Sequence, residues 1–106
     1  MPTDPMDCFK ASIPILKVLC DETRLSILSM LSHADMNGCE IIRAFCFSQP
    51  TISYHMKQLV DAQLVMARKE GSTVIYSVNR EIWPHVRALL DVLCAAARKK
   101  GEESVE

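Results

Sequence analysis

Five cysteines, Cys8, Cys20, Cys39, Cys46 and Cys94, carry the most reactive chemistry available to this 106-residue chain. Their odd number and irregular spacing do not form a disulfide framework, so reduced thiols are expected. Such thiols can capture a soft metal ion or metalloid, or be oxidised reversibly, provided that they are exposed and partly ionised. Cys39 and Cys46 fall on the same side of a short helical segment as Arg43, away from Ile41, Ile42 and Phe45. Beside a guanidinium and near a helix start, both thiols should be partly ionised. They cannot chelate an ion as a pair on a straight helix: seven residues rise about 10 Å, whereas thiolates on one ion lie within about 4 Å of each other. Cys20 and Cys94 lie on or beside apolar stripes and read as small packing residues. A thiol enzyme would need a cysteine, a histidine base and an orienting carboxylate in one pocket, and no spacing puts His33, His55 or His85 beside a reactive cysteine, so no catalysis is expected.

A second chemistry sits between Ser48 and Leu59. Ser48 is a good helix cap and Pro50 suits a first helical turn, which predicts a helix from Gln49 to about Ala62. Its inward stripe is Ile52, Met56, Leu59, Val60 and Gln63. The opposite face carries Ser53, Tyr54, Lys57 and Asp61, with Thr51 and Gln58 beside it. With Ser48 and Gln49 at its start, that face offers hydroxyl and amide groups for base edges and one cation for phosphate, which suits insertion into a DNA major groove. Tyr54 is the better candidate for reading bases; His55, at the margin of the inward stripe, is read as packing and hydrogen bonding behind the contact face.

The elements that must position these groups follow from periodicity. A first helix runs from Phe9 through Ile13, Leu16 and Cys20, with Pro14 either kinking it or lying in its opening turn. Asp21 caps a second helix, Glu22 to about Ser32, so apolar all round that it should be central and buried. Asn37 caps a short third helix through about Phe45. After the fourth, Leu64 to Lys69 and Thr73 to Val78 read as a hairpin turning at Glu70-Gly71-Ser72, with Arg68 and Lys69 near its tip. A final helix, Ile82 to about Lys99, carries Ile82, Val86, Leu89, Leu90 and Leu93 as a stripe wide enough for a partner helix, the expected homodimer interface. The prediction is a mainly α (α+β) winged helix-turn-helix: five helices with a two-stranded wing, in one domain spanning 1–106, with 1–8 and 100–106 flexible.

Composition sets the outer bounds. At 49% hydrophobic residues the chain can bury one compact core. A net charge of −1 gives no bulk basicity to argue for nucleic acid. The charge is uneven, however: from Arg43 to Arg80 five basic residues (Arg43, Lys57, Arg68, Lys69, Arg80) face two acidic ones (Asp61, Glu70). The amino terminus lacks a secretory signal pattern and no stretch is long and apolar enough for a membrane, so a cytoplasmic protein without a membrane partner is expected.

Two segments carry a family resemblance. Asp21-Glu22-Thr23-Arg24-Leu25-Ser26-Ile27-Leu28 resembles the D-x-T-R-L-x-I-L segment of the ArsR/SmtB metalloregulators, and Ser48 to Leu59 (SQPTISYHMKQL) resembles their S-Q-P-T-x-S-x-H-x-x-x-L recognition helix. The likeness covers roughly Phe9 to Cys94. It implies a dimeric repressor that binds double-stranded operator DNA and needs no cofactor. Ser48, Gln49, Thr51, Ser53, Tyr54 and Lys57 would lie at the major groove, with Arg68 and Lys69 on the flanking backbone or minor groove. It also implies release by a thiophilic effector, As(III) or Sb(III) foremost. Cys39 matches the second cysteine of the family's C-x-C element, but Asn37 stands at the first, and Ile42 replaces the further cysteine of the arsenic-type pattern. A three-thiolate site would therefore recruit Cys8, from either subunit, with Cys46 assisting if the third helix ends early. The zinc site that some relatives place on the last helix is not expected, because His85 and Asp91 lack the paired spacing. A thiol redox or persulfide sensor of the same fold, through Cys20 and Cys94, is the alternative.

Overall fold

Capping side chains fix where the helices begin. Asp21 accepts the Arg24 N–H at 3.0 Å and opens α2 (Glu22–Leu31). Asn37 and Glu40 form a reciprocal capping box, 2.8 and 2.9 Å, at the start of α3 (Gly38–Ala44). Ser48 caps α4 (Gln49–Asp61). Each cap satisfies amide donors that a helix otherwise leaves unpaired in its first turn. The structure, a computed structural model, describes the backbone of residues 5–104 and the side chains of residues 9–95. Of the termini expected to be flexible, residues 1–4 and 105–106 lie outside the described residues, and so do the side chains of 5–8 and 100–104.

The first helix, α1 (Pro5–Leu19), begins four residues before Phe9, which leaves Pro14 well inside it rather than in an opening turn. There it has no N–H to donate to the preceding turn. Cys20 falls just past the helix end and is exposed, not on a packed stripe. α2 buries Ile27, Leu28 and Leu31, but Leu25 is 51% exposed, so the helix is central without being covered all round.

The wing consists of β2 (Val65–Glu70) and β3 (Thr73–Val78), paired antiparallel from Val65↔Val78 to Glu70↔Thr73. The loop is therefore two residues, Gly71-Ser72, and Gly71 takes the positive φ of 64° that such a tight turn demands at its first position. A short strand, β1 (Met36–Asn37), joins on the other side of β3 through Met36↔Tyr76 and Asn37↔Ile75, giving a three-stranded sheet of order β1-β3-β2 rather than a lone hairpin. Two residues are too few to show alternation. The last helix, α5 (Trp83–Ser104), starts one residue after Ile82 and extends beyond Lys99.

The main core cluster joins Ile27, Leu28 and Leu31 from α2, Ile41 from α3, Ile52, Met56 and Leu59 from α4, then Leu64 and Val65. Gln63, assigned to the inward stripe of α4, is exposed and adopts φ 64° just past the helix end. Its N–H reaches Val60 O (3.0 Å) while Leu64 N–H reaches Leu59 O (3.0 Å), the two bonds of a Schellman stop. This reversal turns the chain out of α4 and drops Leu64 and Val65 into the core at the root of the wing.

Candidate nucleic-acid interface

Burial of Ile52, Met56 and Leu59 against α2 and α3 orients α4, and the same geometry turns Ser53, Tyr54 and Lys57 outward. All three are exposed, Tyr54 to 58%. Gln49 and Ser48 are exposed at the amino end, whereas Thr51 is half-buried, its hydroxyl 3.0 Å from that of Ser48. Lys57 pairs with Asp61 one turn on, at 3.2 Å and in open solvent, a contact too weak to prevent its ammonium from meeting a phosphate.

On the wing, Lys69 is exposed and has no ion-pair partner among the described residues. Arg68 is differently placed. Its Nε donates to Glu70 at 2.8 Å and its guanidinium to Asp35 at 3.2 Å. Those bonds, Glu70 first and Asp35 next, hold its pKa above the ordinary arginine value. Asp35 lies in the loop before β1 and carried no signal in the sequence.

Behind the exposed face, Arg24 of α2 makes three contacts with a side chain only 13% exposed. Its Nε donates to the Val18 carbonyl at 2.8 Å, its guanidinium lies 3.9 Å from the Asp21 carboxylate, and Nη1 lies 3.5 Å from His55 Nδ1. His55 is half-buried and its ring meets Tyr54 edge-on, with centroids 5.7 Å apart. Asp21 has its carboxyl below the usual aspartate value, chiefly through the hydrogen bond from the Arg24 backbone N–H, against an opposing effect of burial and with help from the Arg24 charge. Arg24 was legible as part of a motif; its bridging role was not.

A groove of about 330 Å³ separates α3, α4 and the wing, and is lined by Cys39, Gln49, Ser53, Thr73, Val74 and Tyr76 among others. Cys39 is exposed there, between the two elements expected to touch DNA. Cys46 is exposed in the bend after α3, which stops at Ala44, and does not line this groove. Cys8 lies in the first turns of α1, its side chain outside the described residues. Among the described residues no group of three His, Cys, Asp or Glu side chains could hold a metal ion, so the described part of one chain does not complete a three-ligand site. Cys94 is exposed on α5, like Cys20 at the end of α1, so neither packs inside the single chain as expected.

On the stripe of α5, Val86 and Leu89 are buried within the chain (5% and 3% exposed) and Ile82 packs against the core, whereas Leu90 and Leu93 remain 54% and 51% exposed. No helix among the described residues is long and apolar enough to cross a membrane.

Comparison with known proteins meets this geometry at the same residues. The sequence model described as "Bacterial regulatory protein, arsR family" matches residues 21–67, from the cap of α2 into β2. The chain is 41% identical to the arsenical resistance operon repressor of Staphylococcus xylosus, over 90% of this chain and 97% of that protein. It is 41% identical to the repressor of the same description from Staphylococcus aureus, over 80% and 82% of the two chains. In fold it resembles the homodimeric winged helix-turn-helix DNA-binding domain of a possible ArsR-family regulator from Mycobacterium bovis, with a TM-score of 0.69, 24% identity, and coverage of 100% of this chain and 92% of that one. The chain therefore belongs to the arsR family of bacterial regulatory proteins, as a winged-helix, DNA-binding transcriptional repressor and not an enzyme.

Proposed function

We propose that the chain acts in the cytoplasm as a homodimer, represses its target genes by binding operator DNA, and lets go when a thiophilic effector, arsenite or antimonite foremost, binds Cys39. The observation that carries this reading is the position of Cys39 on the groove between α4 and the wing, where anything bound to the thiol bears on both DNA-contacting elements. The names of the Staphylococcus relatives support the choice of arsenicals. Leu90 and Leu93, exposed on α5, supply the dimer face, while Val86 and Leu89 are buried within the chain and Ile82 packs on its core. A two-fold dimer would set the paired α4 helices about 34 Å apart on successive turns of an imperfect palindrome. Ser48, Gln49, Thr51, Ser53, Tyr54 and Lys57 then meet the major groove, and Arg68 and Lys69 meet flanking phosphates.

An effector that binds better to the free conformation must weaken DNA affinity by the same factor. No three-ligand group forms among the described residues of one chain, so in this reading Cys8, from either subunit, joins Cys39, with Cys46 assisting from the bend after α3. Fluorescence-monitored release from a duplex of the chain's own promoter, titrated with arsenite, antimonite, cadmium, zinc, copper and peroxide, tests the reading. Release by arsenite or antimonite that Cys39→Ser abolishes supports it. Unchanged release in Cys39→Ser removes the effector site, and release by peroxide alone, reversed by reductant, replaces it with thiol oxidation.

A further inference from the structure

We infer that Arg24 is a positioning residue for DNA recognition, tying the end of α1 and the cap of α2 to the recognition helix through His55. The inference rests on the reading of α4 as the element that enters the groove. A guanidinium has donors only, so the 3.5 Å approach of Nη1 to His55 Nδ1 sets a fixed donor against a ring nitrogen that is able to accept. The same planar group is anchored elsewhere, with Nε donating to Val18 O at 2.8 Å and Nη2 in an ion pair with Asp21 at 3.9 Å. The fork is thus held from the α1 and α2 side before it meets α4. With the Arg24 side chain only 13% exposed, few alternative rotamers are open to it.

The consequence passes one residue outward. The His55 ring lies edge-on to Tyr54 at 5.7 Å, and Tyr54 is the large exposed side chain of the contact face. Fixing His55 therefore fixes the surface against which Tyr54 rests. Hydrophobic packing of Ile52, Met56 and Leu59 holds α4 in place but tolerates small rotations about the helix axis; a directional contact on its flank does not. Specific base contacts depend on such rotation, whereas phosphate contacts made by mobile lysines do not.

The test is a double-mutant cycle on Arg24→Gln and His55→Phe, read as affinity for a labelled duplex of the site protected upstream of the chain's own gene and for a scrambled duplex of equal length. Each single variant should weaken binding to the protected site about ten-fold, the scale of one charge-assisted hydrogen bond. Each should change scrambled-duplex binding less than about two-fold. The double variant should lose little more than either single one, because both remove the same contact. His55→Gln, which keeps an acceptor, should restore most of the loss. If Arg24→Gln fails to fold, the His55→Phe and His55→Gln pair carries the test from the α4 side. Multiplicative losses in the double variant, equal losses on both duplexes, or parental affinity in His55→Phe would overturn the inference. A parent protein that binds both duplexes alike overturns the recognition-helix reading and this inference with it.

Discussion

Arg68, on the wing, lies 3.2 Å from Asp35, thirty-three residues earlier in the chain, and its Nε simultaneously meets Glu70 at 2.8 Å. This wing cation is thus held between two carboxylates, and the local charge of the trio is negative. DNA phosphates must compete with both. All three side chains are about half exposed, so the pairs add little to stability. Asp35→Asn should leave the melting temperature nearly unchanged and strengthen binding to any duplex by about three-fold at low salt. The slope of log affinity against log salt should steepen by up to about one unit, the mark of one more phosphate contact. Anisotropy titrations over a salt series check this; an unchanged slope would mean that Arg68 does not reach the backbone.

Asp21 gives a pH dependence whose direction can be worked out. Its carboxyl titrates lower in the fold than the ordinary value of 3.8, because the ionised form accepts the Arg24 N–H. The contribution is therefore fully present above 3.8 and is lost as pH falls below 3.8 through the folded value. Near neutral pH, Asp21→Ala should cost about 1 kcal/mol as a lost helix cap, and the gap to the parent should narrow under acid. Urea unfolding at both pH values measures it. A gap independent of pH would assign the effect to helix propensity alone.

The apolar stripe of α5 separates into two layers with different roles. Leu89 is 3% exposed within the chain, so Leu89→Ala should destabilise it by about 2–5 kcal/mol. Leu90 and Leu93 are more than half exposed, so Leu90→Glu with Leu93→Glu should leave a folded monomer. Sedimentation should then show half the parental mass, and operator affinity should fall by ten-fold or more as the second half-site contact is lost. A folded double variant that remains dimeric would place the interface elsewhere.

Most of the scaffold was legible because strong local signals determined it. Asp21, Asn37 and Ser48 announced three helix starts, each confirmed by a backbone N–H bond that the cap side chain accepts. The β-branched run Thr73–Val78 announced the strand that β1 and β2 flank. What sequence could not supply was long-range. β1 is two residues that count as a strand through their pairing with β3, and Asp35 acquires its partner across thirty-three residues. Gln63 looked inward by helical arithmetic, but the helix had already ended, with a residue other than glycine in the left-handed turn. Cys20 and Cys94 looked like packing residues because a stripe was extrapolated past a helix end in one case and across a surface the chain does not cover in the other. Arg24 was visible as a motif letter, but its bridge to His55 existed only once α2 and α4 were packed.

If the Ser53, Tyr54 and Lys57 face of α4 meets DNA, stripping it must cost affinity in a single titration. Anisotropy of a labelled duplex of the chain's own promoter is followed with the parent and with Tyr54→Ala combined with Lys57→Ala. Both side chains are exposed, so the variant should melt with the parent. Loss of a base contact and a phosphate contact should weaken its binding by about a hundred-fold, with a shallower salt slope by about one. Binding as tight as the parent's, by a folded variant, would mean that α4 does not make the DNA contact.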